Sequence, residues 1–337
     1  MRIGLPRSLF YHKHRVLWTR LLESLGHEIV VSPPTNRAIL DLGCHAAVDE
    51  TCLSVKIHLG HVAWLAGRCD AVLVPRCVSI ARRQRECVKM WGLYDIVANA
   101  LPDVPLLTYS VDAAGISHRP TRQSGELYRF ARSLGASPLG AATAVGRATV
   151  AEARGARVKR RAQQRVLAAP HARPRILVVG HSYNLDDELV GKPILDTLVE
   201  QGCEVLVSEN VPTRAAHRRA LKVSPRLYWT NNLRLLGAVQ LLRDRVDGIV
   251  FLVTFPCGPD SLVTDLAVRQ LGDVPSMTLV VDEQVAEAGV RTRIESFVDI
   301  VQMRRTQHAA MPSIGTAADA GAADASTPAP LARNGAA

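Results

Sequence analysis

Aromatic residues are scarce, at 4% of the 337 positions. Proteins that hold single-stranded nucleic acid need exposed aromatic platforms on which bases stack, so that class of binder is disfavoured. No apolar run approaches the length of a membrane span. The first residues, Met1-Arg2-Ile3-Gly4-Leu5-Pro6, lack the long apolar core of a signal peptide and read as a first strand. The expectation is a soluble, cytoplasmic protein that engages neither membrane nor nucleic acid. Glycine-rich phosphate loops are also missing. Without a Gly-x-Gly-x-x-Gly fingerprint or a P-loop, a dedicated dinucleotide or ATP site is not expected. No Gly-x-Ser-x-Gly elbow presents a serine nucleophile. The seven cysteines contain no Cys-x-x-Cys pair. In a cytosolic chain of this size they point to free thiols, metal or catalysis rather than a disulfide framework.

What is present is a chain with 47% hydrophobic residues, enough for full-sized cores, and long enough for two domains. Strand and helix signals alternate throughout, the pattern of βαβ units and parallel sheets. Strands are expected at Ile3–Pro6, Glu28–Val31, Asp70–Pro75 and Pro105–Tyr109. The first helix, Tyr11 to Leu25, carries an apolar stripe of Val16, Leu17, Leu21, Leu22 and Leu25. The segment from Cys77 to Lys89 reads as irregular and basic. Long helical material, Gly125 to Leu134 and Ala141 to Leu167, closes the first half. After a proline-containing joint at Ala168–Pro174 the pattern restarts with strands at Arg175–Val179, Glu204–Val207, Asp247–Val253 and Ser276–Val281. The expected fold is α/β: two tandem Rossmann-like, doubly wound parallel-sheet domains over residues 1–170 and 171–306, with a cleft between them. Residues 307–337 are rich in Ala, Gly, Pro, Ser and Thr and have no periodicity, so a disordered tail is expected.

The formal charge is +10, concentrated between Ala151 and Arg173, where seven basic residues face one acid, Glu152. That segment reads as a solvated helix face. A docking face for an acidic partner or a phosphate-bearing ligand is the other reading.

The chain is organised around Phe255-Pro256-Cys257-Gly258-Pro259-Asp260-Ser261-Leu262. A buried-type strand precedes this stretch and a helical pattern follows it, so Cys257 falls where a strand ends and a helix begins. Free N–H groups and the positive dipole end favour a thiolate or a metal–sulfur cluster there. The carboxyl end of a strand in an open α/β sheet is also where ligands bind. Cys52, before an apolar helical stretch, and Cys87, in a polar loop, are the partners the chain offers. Basic neighbours (Lys56, Arg76, Lys89) are expected to lower the pKa of such loop thiols, and soft thiolates suit Fe–S clusters or zinc. Spacing alone leaves two readings open, a shared metal site or isolated thiols packed as small hydrophobes. Cys44, Cys69, Cys77 and Cys203 read mostly as the latter. His58 and His61 could serve zinc together with Cys52 and Cys87, or fill capping and core roles. Asp49, Glu50, His181 and Asp260 lie near the candidate ligand loops and are the acid or base candidates, each equally a loop cap.

Ordered stretches along the chain resemble the 2-hydroxyacyl-CoA dehydratase superfamily. The likeness is greatest to its activase-related proteins, which are related to double-cubane cluster proteins. The matching stretches are Ile3–Arg7, Val31-Ser32-Pro33-Pro34-Thr35-Asn36, Val48–Leu53, Val74-Pro75-Arg76, Gly180–Leu185, Tyr228-Trp229-Thr230, Cys257–Leu262, Asp282–Gln284 and Glu287–Arg293. Three positions depart from the pattern: Ser54 and Val88 stand where the family has Pro, and Pro256 where it has Gly. The resemblance implies an iron–sulfur cluster, a [4Fe-4S] or a double cubane, held in the cleft by Cys52, Cys87 and Cys257. It implies an ATP-hydrolysing activase as electron donor, and an acyl-CoA or other small molecule as substrate. A homodimer or heterodimer would bring two such cysteine sets together. A non-catalytic, activase-binding or cluster-carrying regulator is the alternative, with the basic segment as its docking face.

Overall fold

A computed structural model of the chain describes residues 1–116, 122–284 and 287–310. The expected tail therefore lies outside the described residues, except that residues 307–310 continue the last helix.

The first half runs β1 (Arg2–Leu5), α1 (Phe10–Ser24), β2 (Glu28–Val31), α2 (Arg37–Ala46), α3 (Leu53–Leu65), β3 (Ala71–Leu73), β4 (Arg76–Ser79), α4 (Val88–Trp91), α5 (Leu93–Ala100), β5 (Leu106–Leu107), β6 (Ser110–Asp112), α6 (Gln123–Ser133) and α7 (Pro138–Ala168). The second half runs β7 (Arg175–Val179), α8 (Ser182–Leu185), α9 (Lys192–Glu200), β8 (Glu204–Val207), α10 (Thr213–Val223), α11 (Thr230–Leu242), β9 (Gly248–Thr254), α12 (Gly258–Val268), β10 (Ser276–Val281) and α13 (Glu287–Ala310). The fold is mixed α/β with parallel sheets. One sheet has the order β2-β1-β3-β5 and the other β8-β7-β9-β10, every pairing parallel. In each sheet the second strand is outermost and the chain then reverses direction across the sheet. The switch points therefore fall between β1 and β3, and between β7 and β9. Strands β7 and β9 are buried at every residue, as strands covered by helices on both faces must be.

Two expectations need correction. Val16 is exposed, and Trp18 takes the buried place beside Leu17, Leu21 and Leu22. Trp18 packs edge-on against Tyr109 and Phe130, so three of the few aromatics go into this core. The segment from Cys77 to Lys89 is not wholly irregular. Its start belongs to β4, which pairs in parallel with the unexpected strand β6, and Val88 and Lys89 open α4. Both strands are too short for an alternating pattern to register.

The central helix α3 is apolar nearly all round and buried along most of its length, including Lys56, His58 and His61. It sits directly against α2. A Cβ on Gly43 would fall 1.9 Å from the Lys56 carbonyl oxygen, and one on Gly60 1.9 Å from that of Ile39. Only glycine permits this approach. Leu40 of α2 with Leu53 and Ile57 of α3 also join the core formed by Ile176, Val178, Val250 and Leu252 of the second sheet. The two halves thus share a hydrophobic core, and α3 is fixed from both sides.

Candidate thiol centre in the cleft

Each of the three cysteines holds the same local position. Cys52 is the N-cap of α3, Cys87 of α4 and Cys257 of α12. In each case the backbone N–H three residues on, of Val55, Met90 and Asp260, lies near enough to the sulfur to lower its pKa. None caps it with a hydrogen bond, and those of Val55 and Met90 donate to the carbonyls of Cys52 and Cys87 at 2.9 and 3.0 Å. Backbone contacts bring the three loops together. The N–H of Leu53, next to Cys52, donates to the carbonyl of Phe255 at 2.9 Å, two residues before Cys257. The Cys87 loop is held by Arg85, which pairs with Tyr228 and Thr230 of the second half at 2.9 and 3.0 Å. The sulfurs are close enough to interact electrostatically: Cys52 raises the pKa of both Cys87 and Cys257, and all three act on Tyr183.

The thiols are not activated, contrary to expectation. Burial pushes Cys52 and Cys257 up, and Cys87 to about 11. Desolvation of the charged form outweighs the N–H groups and the one relevant lysine, Lys89 beside Cys52. Lys56 is instead paired with Glu283 at 2.7 Å, and Arg76 donates to the carbonyl of Trp91 at 3.1 Å. Protonated, half-buried thiols of this kind suit metal ligation, in which the metal displaces the proton.

His181 and Asp260 join this centre. His181 is the N-cap of α8 at the end of β7, and Asp260 lies in the first turn of α12 beyond β9, so they flank the switch point of the second sheet. Nε2 of His181 lies 2.7 Å from Oδ1 of Asp260, and Nδ2 of Asn232 donates to that same oxygen at 2.7 Å. Burial alone would raise the Asp260 carboxyl, but the His181 charge and hydrogen bonds from His181 and Asn232, with the Cys257 thiol beside it, hold it below its usual range. Burial would likewise lower His181, yet Asp260 raises it. Tyr183 stacks on the His181 ring, with centroids 4.8 Å apart.

Of the other candidates, Asp49 and Glu50 are exposed. The His58 ring bonds the Ser8 hydroxyl at 2.8 Å through Nδ1, and His61 that of Thr35 at 3.0 Å through Nε2, while Nε2 of His58 and Nδ1 of His61 are buried with no hydrogen-bond partner. Among the described residues no group of three or more His, Cys, Asp or Glu could hold a single metal ion. A zinc ion needs its donors in one coordination sphere, about 2.3 Å away for each sulfur. An iron–sulfur cluster takes each thiolate on a different iron, so its ligands can stand farther apart. The convergence of three soft donors, each with a nearby N–H, fits the cluster better than zinc.

Ser54, at a departure from the family pattern, has a clear task. Its buried hydroxyl donates to Oδ1 of Asn184 at 2.8 Å and meets the Thr254 hydroxyl at 3.1 Å, tying the start of α3 to α8 and β9. Tyr183, Asn184 and Asn232 were not singled out from sequence. The first two fall within the Gly180–Leu185 stretch, and Asn232 follows closely on Tyr228-Trp229-Thr230, so proximity to those motifs was the available signal.

Together these features define an α/β protein with a three-thiol centre where two parallel sheets meet. A family model described as "CoA enzyme activase uncharacterised domain (DUF2229)" matches residues 2–211, more than half of the chain, and the chain belongs to that family. The match includes Cys52, Cys87 and His181 and ends before Cys257 and Asp260. No curated protein matches. Similar solved structures include a mutant of FpvC from Pseudomonas aeruginosa, 16% identical, covering 90% of this chain and 100% of that one, with a TM-score of 0.26. FpvC from the same organism in complex with Mn2+ is 16% identical over 91% and 99%, with a TM-score of 0.25. The UDP-GlcNAc 2-epimerase of Methanocaldococcus jannaschii, in complex with UDP-GlcNAc and UDP, is 10% identical over 89% and 92%, with a TM-score of 0.22. Scores this low carry no argument. Among the described residues no helix is long and apolar enough to cross a membrane.

Proposed function

We propose that this chain is the iron–sulfur component of an ATP-dependent, low-potential electron-transfer system. It accepts electrons from an activase and uses them to reduce or dehydrate a small substrate, in the manner of 2-hydroxyacyl-CoA dehydratases. The carrying observation is the convergence of Cys52, Cys87 and Cys257 as N-caps of three helices, clamped by the Leu53–Phe255 hydrogen bond. Membership of a family described by CoA enzyme activases supports the link to such a system.

These three cysteines would hold a [4Fe-4S] or double-cubane cluster, which supplies one-electron chemistry when bound. The N–H groups of Val55, Met90 and Asp260 would stabilise thiolate charge. Asp260, anchored by Asn232, orients His181. Tyr183, stacked on the His181 ring, would cover one side of the centre, and such a shell is one of the features that tune a cluster's potential.

Anaerobically reconstituted protein, mixed with a dehydratase activase, a reductant and ATP, is expected to lose its visible cluster absorption only while ATP is hydrolysed. Bleaching that is the same with a non-hydrolysable ATP analogue, or no bleaching at all, contradicts the electron-acceptor reading.

A further inference from the structure

Beside the thiol centre lies a second feature, a cavity of about 40 Å³ that opens to solvent at its mouth. Its apolar wall is Leu9, Phe10, Ile80 and Met90; its polar wall includes Lys13, Glu86, His181 and Glu209. The charges on that wall are unevenly satisfied. Glu209 is paired with Arg234 at 2.9 Å, and Glu86 accepts from Nδ2 of Asn231 at 2.9 Å. Burial also raises the Glu86 carboxyl toward its neutral form. Lys13 is less well served. Its Nζ donates to Oδ1 of Asn231 over a long 3.3 Å, and that oxygen already accepts from Arg234 at 2.6 Å. Burial, and after it Arg234, lower the pKa of Lys13 by more than the nearby Glu209 and Glu86 raise it. The buried His181 ring has the same deficit: Nε2 is taken by Asp260, while Nδ1 has no partner. Buried polar groups are normally paired, so an unpartnered ring nitrogen and a weakly held ammonium in one cavity wall call for a ligand.

We propose that this cavity binds a short-chain carboxylate, its oxygens received by Nζ of Lys13 and Nδ1 of His181 and its alkyl chain lying against Leu9, Phe10, Ile80 and Met90. A carboxylate supplies the acceptor that His181 Nδ1 lacks and a closer one than the shared Asn231 oxygen for Lys13, and an alkyl chain can lie along the apolar wall and out through the mouth. Because Asp260 occupies Nε2 and favours the charged ring, Nδ1 can act as a donor. The inference goes beyond the proposed function, since the ligand is held by residues other than the three cysteines.

The test is a calorimetric titration of metal-free protein with hexanoate, hexanamide and hexylamine. Hexanoate is expected to bind saturably, and at least roughly tenfold more tightly than the other two, as expected when a charge-assisted hydrogen bond is at stake. Lys13→Met and His181→Gln should each weaken hexanoate by a similar factor. Ile80→Trp, at a position 42% exposed, should block the cavity without removing a charge. Thermal melts confirm that each variant is folded. Preferred binding of hexylamine, no saturable hexanoate binding to folded wild type, or binding unchanged in both Lys13→Met and Ile80→Trp would overturn the proposal. Because the protein carries no metal in this experiment, that failure would leave the cluster reading standing, and a chain that never took iron would leave this one standing.

Discussion

Below about pH 6 the protein is expected to lose stability steeply. Burial lowers His58 and His61 to about 3 and His12 to about 4, each from an ordinary 6.5. In the unfolded chain all three take up protons near pH 6.5, while in the fold they stay neutral until pH 4 or below. Across that window the unfolded state binds more protons, so stability falls as pH falls, by up to roughly 1.4 kcal/mol per pH unit for each histidine. Asp187 opposes this. Burial raises its carboxyl to about 6, with Thr35 donating to it at 2.6 Å, so between about pH 6 and 4 the fold holds a proton that the unfolded chain has lost. One carboxyl offsets one histidine of three. The net loss from pH 7 to 4.5 is on the order of 5 kcal/mol, comparable with the whole stability of many domains. Urea midpoints measured from pH 7 to 4.5 test this; a flat or rising profile contradicts it. His58→Asn, which can keep the bond to Ser8, should flatten the net slope by about half.

Asp260→Ala is expected to cost about 3–5 kcal/mol of folding free energy, the usual result of leaving a buried charge without its partner. The carboxylate is 3% exposed and accepts hydrogen bonds from His181 and Asn232. Without it, a buried imidazolium and a buried amide lose their acceptor at once. His181 should also titrate lower, because burial would act on it without the opposing charge. Asp260→Asn keeps the shape and one acceptor, so its cost should be smaller. Denaturant unfolding and the NMR titration of the His181 ring protons provide the readouts. An Asp260→Ala cost below about 1 kcal/mol would show that the network is not holding the centre together.

The strand ends were the legible part of this chain. Gly248–Thr254 and Ser276–Val281 are long apolar runs, and a run of that length is readable without its partners. Their carboxyl ends fix where Cys257 sits, and the helical pattern after it makes the cysteine a helix N-cap. β4 and β6 could not be read, because three or four residues carry no period. The shared core was also hidden: α3 is apolar on all faces, so its pattern does not say that it packs against both sheets. The acid–base candidates separated on burial, which no local pattern encodes. Asp49 and Glu50 are exposed, whereas His181 and Asp260, 79 positions apart, form one hydrogen bond across the switch point. The expected activation of the thiols failed for the same reason: nearby lysines can be read from sequence, but the desolvation that outweighs them cannot.

The most direct test of the central claim is the iron and acid-labile sulfide content, with the EPR spectrum after dithionite reduction, of protein purified and reconstituted without oxygen. Wild type would be compared with Cys52→Ala, Cys87→Ala and Cys257→Ala, and with Cys203→Ala as a control at a buried thiol outside the centre. The account predicts iron and sulfide together in wild type and control, a reduced-cluster EPR signal, and loss of both elements in each of the three variants. Wild-type protein free of iron after reconstitution, or iron retained in all three variants, would contradict it.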